Sequence, residues 1–322
     1  MVKTPNLKTE KFLSKIHDIY HDKYFDIEKY FYINKPVTFR INRLKLNSIS
    51  SEQIIENLKN QGFEVTSGPV KDSYICNSGK TEIKLSETEE VLKGLIYIQK
   101  LSSMLPAIYM NLKPGQNILD MCASPGSKTS QIAADLNNNC FITAVENNKK
   151  RFYILKKNLE TLGVNCVKAI YENSVTLPLK YPNLMESFDR VLLDLPCSNE
   201  GYVNLENQKS LDKWNYKTAE RLSKLQKTLL YSGVSMLKPG GLLLYSTCTY
   251  SVEENEVVID WALKKFGNLN IQEIEVGLKN ALQGFTKWNN VNFDDRLTKT
   301  TRILPTELFS GFYFALLKKT IG

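Results

Sequence analysis

From about residue 101 onward the chain alternates short apolar runs with longer amphipathic stretches, and this alternation constrains the fold more than any other feature. Gln116–Met121 is an apolar run, and a helical stretch over Lys128–Leu136 follows it after a Pro-Gly turn. Cys140–Glu146 and Cys166–Tyr171 are further runs, separated by a helical stretch over Lys149–Leu162 that Gly163 closes. Phe188–Leu195 is a further strand with a continuous apolar centre at Val191-Leu192-Leu193, as strands buried on both faces have. A long helical pattern over Thr218–Leu237 stops at Lys238-Pro239-Gly240-Gly241. Leu242–Thr247, a helical stretch over Glu253–Phe266 and a late strand over Gly311–Leu317 complete the series. Such alternation predicts an α/β fold with a doubly wound, Rossmann-like parallel sheet.

Residues 1–100 read differently, being rich in Lys, Asn, Tyr and Ile. Lys8–Tyr32 reads as helical. Val37, Phe39 and Ile41 alternate with Thr38, Arg40 and Asn42, the period of a half-buried strand. Ser50 and Gln53 have capping-box spacing and open a helix that Gly62 ends. Phe63–Thr66 and Gly94–Gln99 are short strands. The expectation is a small α+β module over 1–100 that binds RNA, ahead of a catalytic domain over 101–322. Arg40, Arg43 and Lys45 are the expected phosphate contacts.

The formal net charge of +8 suits a polyanionic partner, since each phosphate contact releases counterions. No apolar run reaches the roughly 20 residues that span a bilayer. The start, Met1–Glu10, is polar and lacks the apolar centre of a signal peptide. The expectation is a cytoplasmic, monomeric protein with no membrane partner. The six cysteines are scattered and form no C-x-x-C, which disfavours a zinc ribbon or a redox pair. His17 and His21 are four apart but have no acidic or Cys partner at ligand spacing, so no metal is expected. Cys140 and Cys166 lie in apolar runs and read as core residues.

Ligands of open α/β sheets bind beyond the carboxyl ends of the strands, at the switch point. The first strand runs into Asp120-Met121-Cys122-Ala123-Ser124-Pro125-Gly126-Ser127-Lys128-Thr129. Its small residues let the backbone approach a ligand, and the next helix offers free N–H groups. Neither G-x-G-x-x-G nor G-x-x-x-x-G-K-[ST] is present, which disfavours a dinucleotide or P-loop nucleotide. Glu146 ends the second strand, where a carboxylate can accept from both ribose hydroxyls of an adenosine cofactor. The fourth strand ends in Asp194-Leu195-Pro196-Cys197-Ser198 and the fifth in Tyr245-Ser246-Thr247-Cys248-Thr249. In the common doubly wound orders these strands are neighbours, so two cysteines emerge beside the cofactor cleft.

These blocks resemble those of the RNA 5-methylcytosine methyltransferases of the Nop/Sun (NSUN) family. The 120–129 segment is similar to that family's cofactor loop, D-x-C-A-A-P-G-G-K-T. Residues 194–198 resemble D-A-P-C-S, and 245–249 followed by Glu253-Glu254-Asn255-Glu256 resemble Y-S-T-C-S with E-E-N-E. Arg302, Pro305, Gly311, Phe312 and Ala315 resemble its terminal segment. Weaker matches reach upstream to Gln99, Ser102, Ser103 and Arg40-Ile41-Asn42. The resemblance implies a class I methyltransferase sheet and S-adenosyl-L-methionine as cofactor. It implies a structured RNA, tRNA or rRNA, as substrate. The implied cofactor set is Cys122 to Lys128, Glu146, Arg151, Asn173 and Asp194. Ser124 and Ser127 replace the family's Ala and Gly, Leu195 replaces a small residue, and Asn173 stands where an acid is usual. The Asn173 side-chain oxygen can still accept from the adenine amino group.

Carbon 5 of cytosine is too weak a nucleophile to attack a methyl sulfonium directly. A thiolate added at carbon 6 turns the ring into an enamine, which is covalent catalysis by a cysteine. The addition needs a proton or strong hydrogen bond at ring nitrogen 3, which Asp194 is placed to supply. The resemblance implies that Cys248 attacks and that Cys197 serves release. The target base must leave its stack to be reached. A DNA cytosine methyltransferase would attack through Cys197, but the Thr-Cys-Thr and Glu-Glu-Asn-Glu blocks argue against it. The intact cysteine pair with Asp194 argues against a catalytically silent RNA-binding assembly factor.

Overall fold

The computed structural model describes residues 7–47, 49–212 and 214–321; residues 1–6 of the polar start lie outside the described residues. Ahead of residue 101 lie the helices α1 (Leu7–Tyr20), α2 (Tyr24–Ile27), α3 (Ser51–Asn60) and α4 (Glu89–Leu92). With them are β1 (Val37–Ile41), β2 (Glu64–Ser67), β3 (Ser73–Asn77) and β4 (Ile96–Ile98). These strands form an antiparallel sheet in the order β2-β3-β1-β4. The cap of α3 is the expected one, with the Ser50 hydroxyl accepting the Gln53 N–H. Phe39, Ile41, Ile54, Leu58 and Phe63 close a small core of their own between sheet and helix.

The helical stretch expected over Lys8–Tyr32 is broken at His21, which takes a left-handed φ of 48°. Its apolar face does not pack on the small sheet. Phe12, Ile16, Tyr20 and Phe31 join the core of the larger unit, together with Trp214 and Tyr250. A buried Lys15–Glu200 ion pair of 2.9 Å fastens α1 there. Tyr20 reaches Arg302, which forms a second buried pair with Glu256. Removing one partner from such a pair strands a buried charge, at a cost of about 3–5 kcal/mol. Residues 7–31 therefore pack with the part expected to begin at 101, and the small sheet with its own core runs from 37 to 98.

The larger unit continues with α5 (Leu101–Tyr109), β5 (Asn117–Asp120), α6 (Ser127–Asp135), β6 (Phe141–Glu146), α7 (Lys149–Thr161) and β7 (Val167–Tyr171). Then come α8 (Leu177–Lys180), β8 (Phe188–Asp194), α9 (Tyr216–Met236), β9 (Leu237–Thr247) and α10 (Glu256–Lys265). The chain closes with β10 (Leu269–Gln272), β11 (Ala281–Gln283), the β12–β13 hairpin (Lys287–Trp288, Val291–Asn292), β14 (Thr301–Ile303) and β15 (Phe312–Lys319). The main sheet has the order β11-β14-β15-β9-β8-β5-β6-β7, with β10 also on β15. β5 to β9 are parallel, and β15 adds antiparallel to β9.

Alternating side chains of the central strands feed two apolar layers. Leu193 and Leu243 pack towards α9, α10 and α1, whereas Leu192 and Leu244 pack towards α5 and α6. The chain runs from β5 outward to β7 and then returns to β8 on the other side of β5. The switch point thus lies between β5 and β8, and a crevice opens beyond their carboxyl ends. No helix among the described residues is long and apolar enough to cross a membrane.

Candidate active site

A cleft of about 580 Å³ occupies this crevice. One half of it is built by the loop after β5. Gly126 turns that loop into α6 with a φ of 100°, a conformation that favours glycine. The loop is strapped from α7: the Ser124 hydroxyl donates to the Arg151 carbonyl at 2.8 Å, and the Arg151 guanidinium donates back to the Ser124 carbonyl at 2.6 Å. The added hydroxyl of Ser124 is thereby spent on the loop. Glu146 ends β6 almost fully buried; one oxygen accepts the Asn148 N–H at 2.8 Å, and the other lies 3.6 Å from Arg151. Asn173 caps the turn after β7, its oxygen accepting the Val175 N–H, and its side chain borders the cleft.

Two carboxylates, Glu146 and Asp194, line the cleft, each with a cation beside it in Arg151 and Lys128. Burial, with Asp120, Asp194 and Glu146 close by, pushes the Cys122 thiol well above its usual range. Burial also lifts the Asp120 carboxyl to about 6, although the Thr129 hydroxyl bonded to it favours the charged form. The donor set fits S-adenosylmethionine: the Glu146 carboxylate would accept from the ribose hydroxyls, beside the small-residue loop.

The other half carries the thiols. Asp194 of β8 stands opposite Ser246 of β9, so the loops leaving these strands begin side by side. The Sγ atoms of Cys197 and Cys248 are 2.9 Å apart. The Cys248 N–H donates to Cys197 Sγ at 3.2 Å, and Asn199 Oδ1 lies 2.9 Å from Cys248 Sγ. Cys197 is buried, and Cys248 is partly exposed to the cleft. The hydrogen bond with Cys248, followed by burial, pushes the Cys197 thiol far above its usual range.

The two loops are locked together from below. Glu254 accepts the Ser198 N–H at 3.0 Å, and Gly201 N–H reaches the Cys248 carbonyl at 2.9 Å. A Cβ at Gly201 would lie 2.0 Å from the Gly311 carbonyl oxygen, so only glycine fits this crossing. Burial lifts the Glu254 carboxyl to about 7. Burial alone would also raise Glu200, but the Lys15 ammonium with Trp214 and Thr249 holds it below the usual carboxylate range. Lys128 extends from the start of α6 across the crevice, donating to Ser103 Oγ and to Asp194 Oδ2, both at 2.7 Å. Ser246 Oγ donates to the other Asp194 oxygen at 3.0 Å.

The cleft brings together Cys122, Ser124, Pro125, Ser127, Lys128, Glu146, Arg151, Asn173, Asp194, Cys197 and Cys248. Ala123 and Gly126 do not border it. Ala123 packs against Ala144 and Leu155, and both residues shape the loop from behind. The expected phosphate contact at Arg40 is overturned. Arg40 is 4% exposed and donates to Gln99 Oε1 at 2.9 Å and to Ser130 Oγ at 2.8 Å, pinning the small sheet to α6. Arg43 is paired with Asp72 at 2.5 Å, and the stem of Lys45 lies against Gly163; neither borders the cleft. Sequence reasoning missed Asn199, Tyr202 and Ser103 as cleft residues. Asn199 carried one signal, since Asn is among the few residues that adopt the left-handed φ of 59° found there.

The parallel core with an added antiparallel β15, and a ligand crevice at its switch point, define a class I methyltransferase. The profile of the family described as 16S rRNA methyltransferase RsmB/F matches residues 107–318. The tRNA (cytosine(49)-C(5))-methyltransferase of Pyrococcus abyssi is 34% identical over 303 residues, covering 93% of this chain and 94% of that protein. A 28S rRNA (cytosine-C(5))-methyltransferase of Mus musculus is 35% identical over 293 residues, covering 89% of this chain but 35% of the mouse protein. A methyltransferase homolog protein from Pyrococcus horikoshii superimposes with a TM-score of 0.80 at 30% identity, covering 98% of this chain and 96% of the other. The chain belongs to the RsmB/F family of S-adenosylmethionine-dependent RNA methyltransferases, within the wider Nop/Sun group.

Proposed function

We propose that the protein methylates carbon 5 of a cytosine in structured ribosomal or transfer RNA, through a covalent bond between Cys248 and carbon 6. The observation that carries this reading is the pair of sulfurs 2.9 Å apart in the same cleft as Glu146 and Asp194. S-adenosylmethionine would supply an electrophilic methyl group, and Glu146, Arg151 and the cleft-lining loop residues Cys122, Ser124, Pro125, Ser127 and Lys128 would hold it. The Cys248 thiolate adds to carbon 6. As the bond forms, the Lys128 proton passes through Asp194 to nitrogen 3, and it returns by the same route when the carbon 6–sulfur bond breaks. Carbon 5 of the resulting enamine would then take the methyl group, whose bond to the donor's sulfur breaks and leaves the neutral thioether. The carbon 5 proton then leaves to water, the carbon 6–sulfur bond breaks, and the Cys197 S–H donates to the departing thiolate.

The DNA-type alternative would make Cys197 the nucleophile. Cys197 is buried whereas Cys248 is partly exposed to the cleft, which favours Cys248 instead. The relatives' printed names support RNA over DNA. The protein is read as a cytoplasmic monomer that needs no metal. The test is incubation with labelled methyl donor and either total RNA or DNA, followed by nucleoside analysis. Label in 5-methylcytidine of RNA is expected. Label in DNA, or none in either, would sink the proposal.

A further inference from the structure

A second cavity, of about 230 Å³, opens beside the catalytic cleft, and Tyr202 borders both. Lys35, from the segment joining the first helices to β1, enters it from one wall, and Lys100, from the link between β4 and α5, from another. Its remaining lining includes Asn34, Thr38, Gly201 and Ser310, none of them acidic. Among the described residues no carboxylate pairs with either ammonium within 4.0 Å. Lys35 donates only to the Thr306 carbonyl, and the Lys100 ammonium lies 3.8 Å from the centre of the Tyr202 ring.

Two cations facing one cavity without an acid repel each other, and partial burial weakens their hydration. Burial, and then the neighbouring Lys100, pull Lys35 down to about 8, with Glu307 as the nearest opposing charge. Burial likewise lowers Lys100. A bound anion would relieve both penalties. The wall shared with the cleft fixes where that anion would sit. Gly201, on the floor of the cavity, holds the Cys248 carbonyl through its N–H, one residue from the ring of Tyr202.

We infer that this cavity seats one backbone phosphodiester of the RNA strand next to the target nucleotide, clamped between Lys35 and Lys100. The inference rests on the RNA reading above and adds a binding site to it. It also gives the segment before β1 a task in place of Arg40: the clamp is built where the helical arm, the small sheet and the catalytic loops meet.

The test compares wild type with the Lys35→Gln/Lys100→Gln double variant in RNA titrations at several salt concentrations. Affinity for S-adenosylmethionine, measured by calorimetry, checks that the variant is folded. Loss of one neutralised phosphate lowers the steepness of log affinity against log salt by about 1, and weakens binding about five- to tenfold at 0.1 M salt. The Lys35→Arg/Lys100→Arg variant should keep the wild-type slope. Lys238→Gln, at the opposite end of β9 in a pair with Asp189, should also keep it and controls for charge alone. An unchanged slope and affinity in the double glutamine variant overturns the clamp, whether or not inorganic phosphate binds. If that happens while wild type still methylates RNA, only the clamp fails. If wild type binds RNA through these lysines yet transfers no methyl group, the clamp stands and the proposed reaction fails.

Discussion

Cys197 and Cys248 follow the carboxyl ends of β8 and β9, while Cys140 and Cys166 precede the amino ends of β6 and β7. Both pairs sit on adjacent parallel strands, and both bring their sulfurs close, to 2.9 Å and 3.5 Å. Their surroundings differ completely. At the carboxyl ends the chain departs from the switch point in both directions, which leaves a crevice lined by Asp194, Asn199 and Lys128. At the amino ends Cys140 is packed among Leu136, Ile142 and Ile132, and Cys166 lies against the same cluster. The end of the strand, more than the residue type, decides whether a thiol faces an open cleft or a neighbour's methyl groups.

The sharpest way to break this contrast is to remove the cleft thiols one at a time. Cys248→Ala should lower methylation by more than about a thousandfold and leave no protein–RNA adduct, because the nucleophile is gone. Cys197→Ala should still add to the base and accept the methyl group, but release should stall. A protein–RNA adduct should then accumulate and survive denaturing electrophoresis. An adduct formed by Cys248→Ala and lost in Cys197→Ala would reverse the roles. Methylation unchanged in both would make these cysteines no different from the core pair.

A smaller effect is expected one strand away. β6 carries Cys140 just before its amino end and Glu146 at its carboxyl end, so a single strand contains both kinds of site. Glu146→Ala removes a charged acceptor worth about 1.5–3 kcal/mol, or more than about tenfold in S-adenosylmethionine affinity. RNA affinity should stay nearly unchanged. Calorimetry showing wild-type cofactor binding would refute the ribose assignment.

The strands that build the cleft were legible because their centres are apolar and Gly and Pro punctuate the chain between them. The expected Phe188–Leu195 run is observed as Phe188–Asp194, and Cys166–Tyr171 as Val167–Tyr171. The 120–129 loop and the cysteine blocks were legible as motifs, and the structure brings them to one cleft. Other elements were hidden. β3 is five residues long and half polar, and α5 contains Pro106, which reads as a breaker but lies inside the helix. Arg40 misled for a physical reason. Alternation showed correctly that Phe39 and Ile41 share a core-facing side of β1, but the polar side was assumed to meet solvent. It meets Gln99 and Ser130 instead, so its charge serves packing between the two units. The roles of Lys128 and Asn199 depend on distances across the crevice, which spacing along the chain does not encode.

The smallest effect is expected at the core pair, and it tests the contrast from its other side. Cys140 is 4% exposed and contributes its sulfur to packing with Leu136 and Ile142. Cys140→Ala removes one buried atom and leaves a small void, at a cost of about 1 kcal/mol, or about 2–4 °C in Tm. Cys166 is less buried, so Cys166→Ala should cost less. Neither site touches the cleft, and β6 and β7 keep their pairing from Ile142↔Val167 to Glu146↔Tyr171 without these side chains. Methyl transfer at a temperature well below Tm should therefore stay within about twofold of wild type in either variant. Thermal melts and turnover measured on the same preparations decide the matter. If Cys140→Ala loses activity in proportion to the Cys197 or Cys248 variants while its Tm falls by only these few degrees, strand-end position does not separate the two pairs. The core cysteines would then be coupled to the reaction along β6, through Glu146.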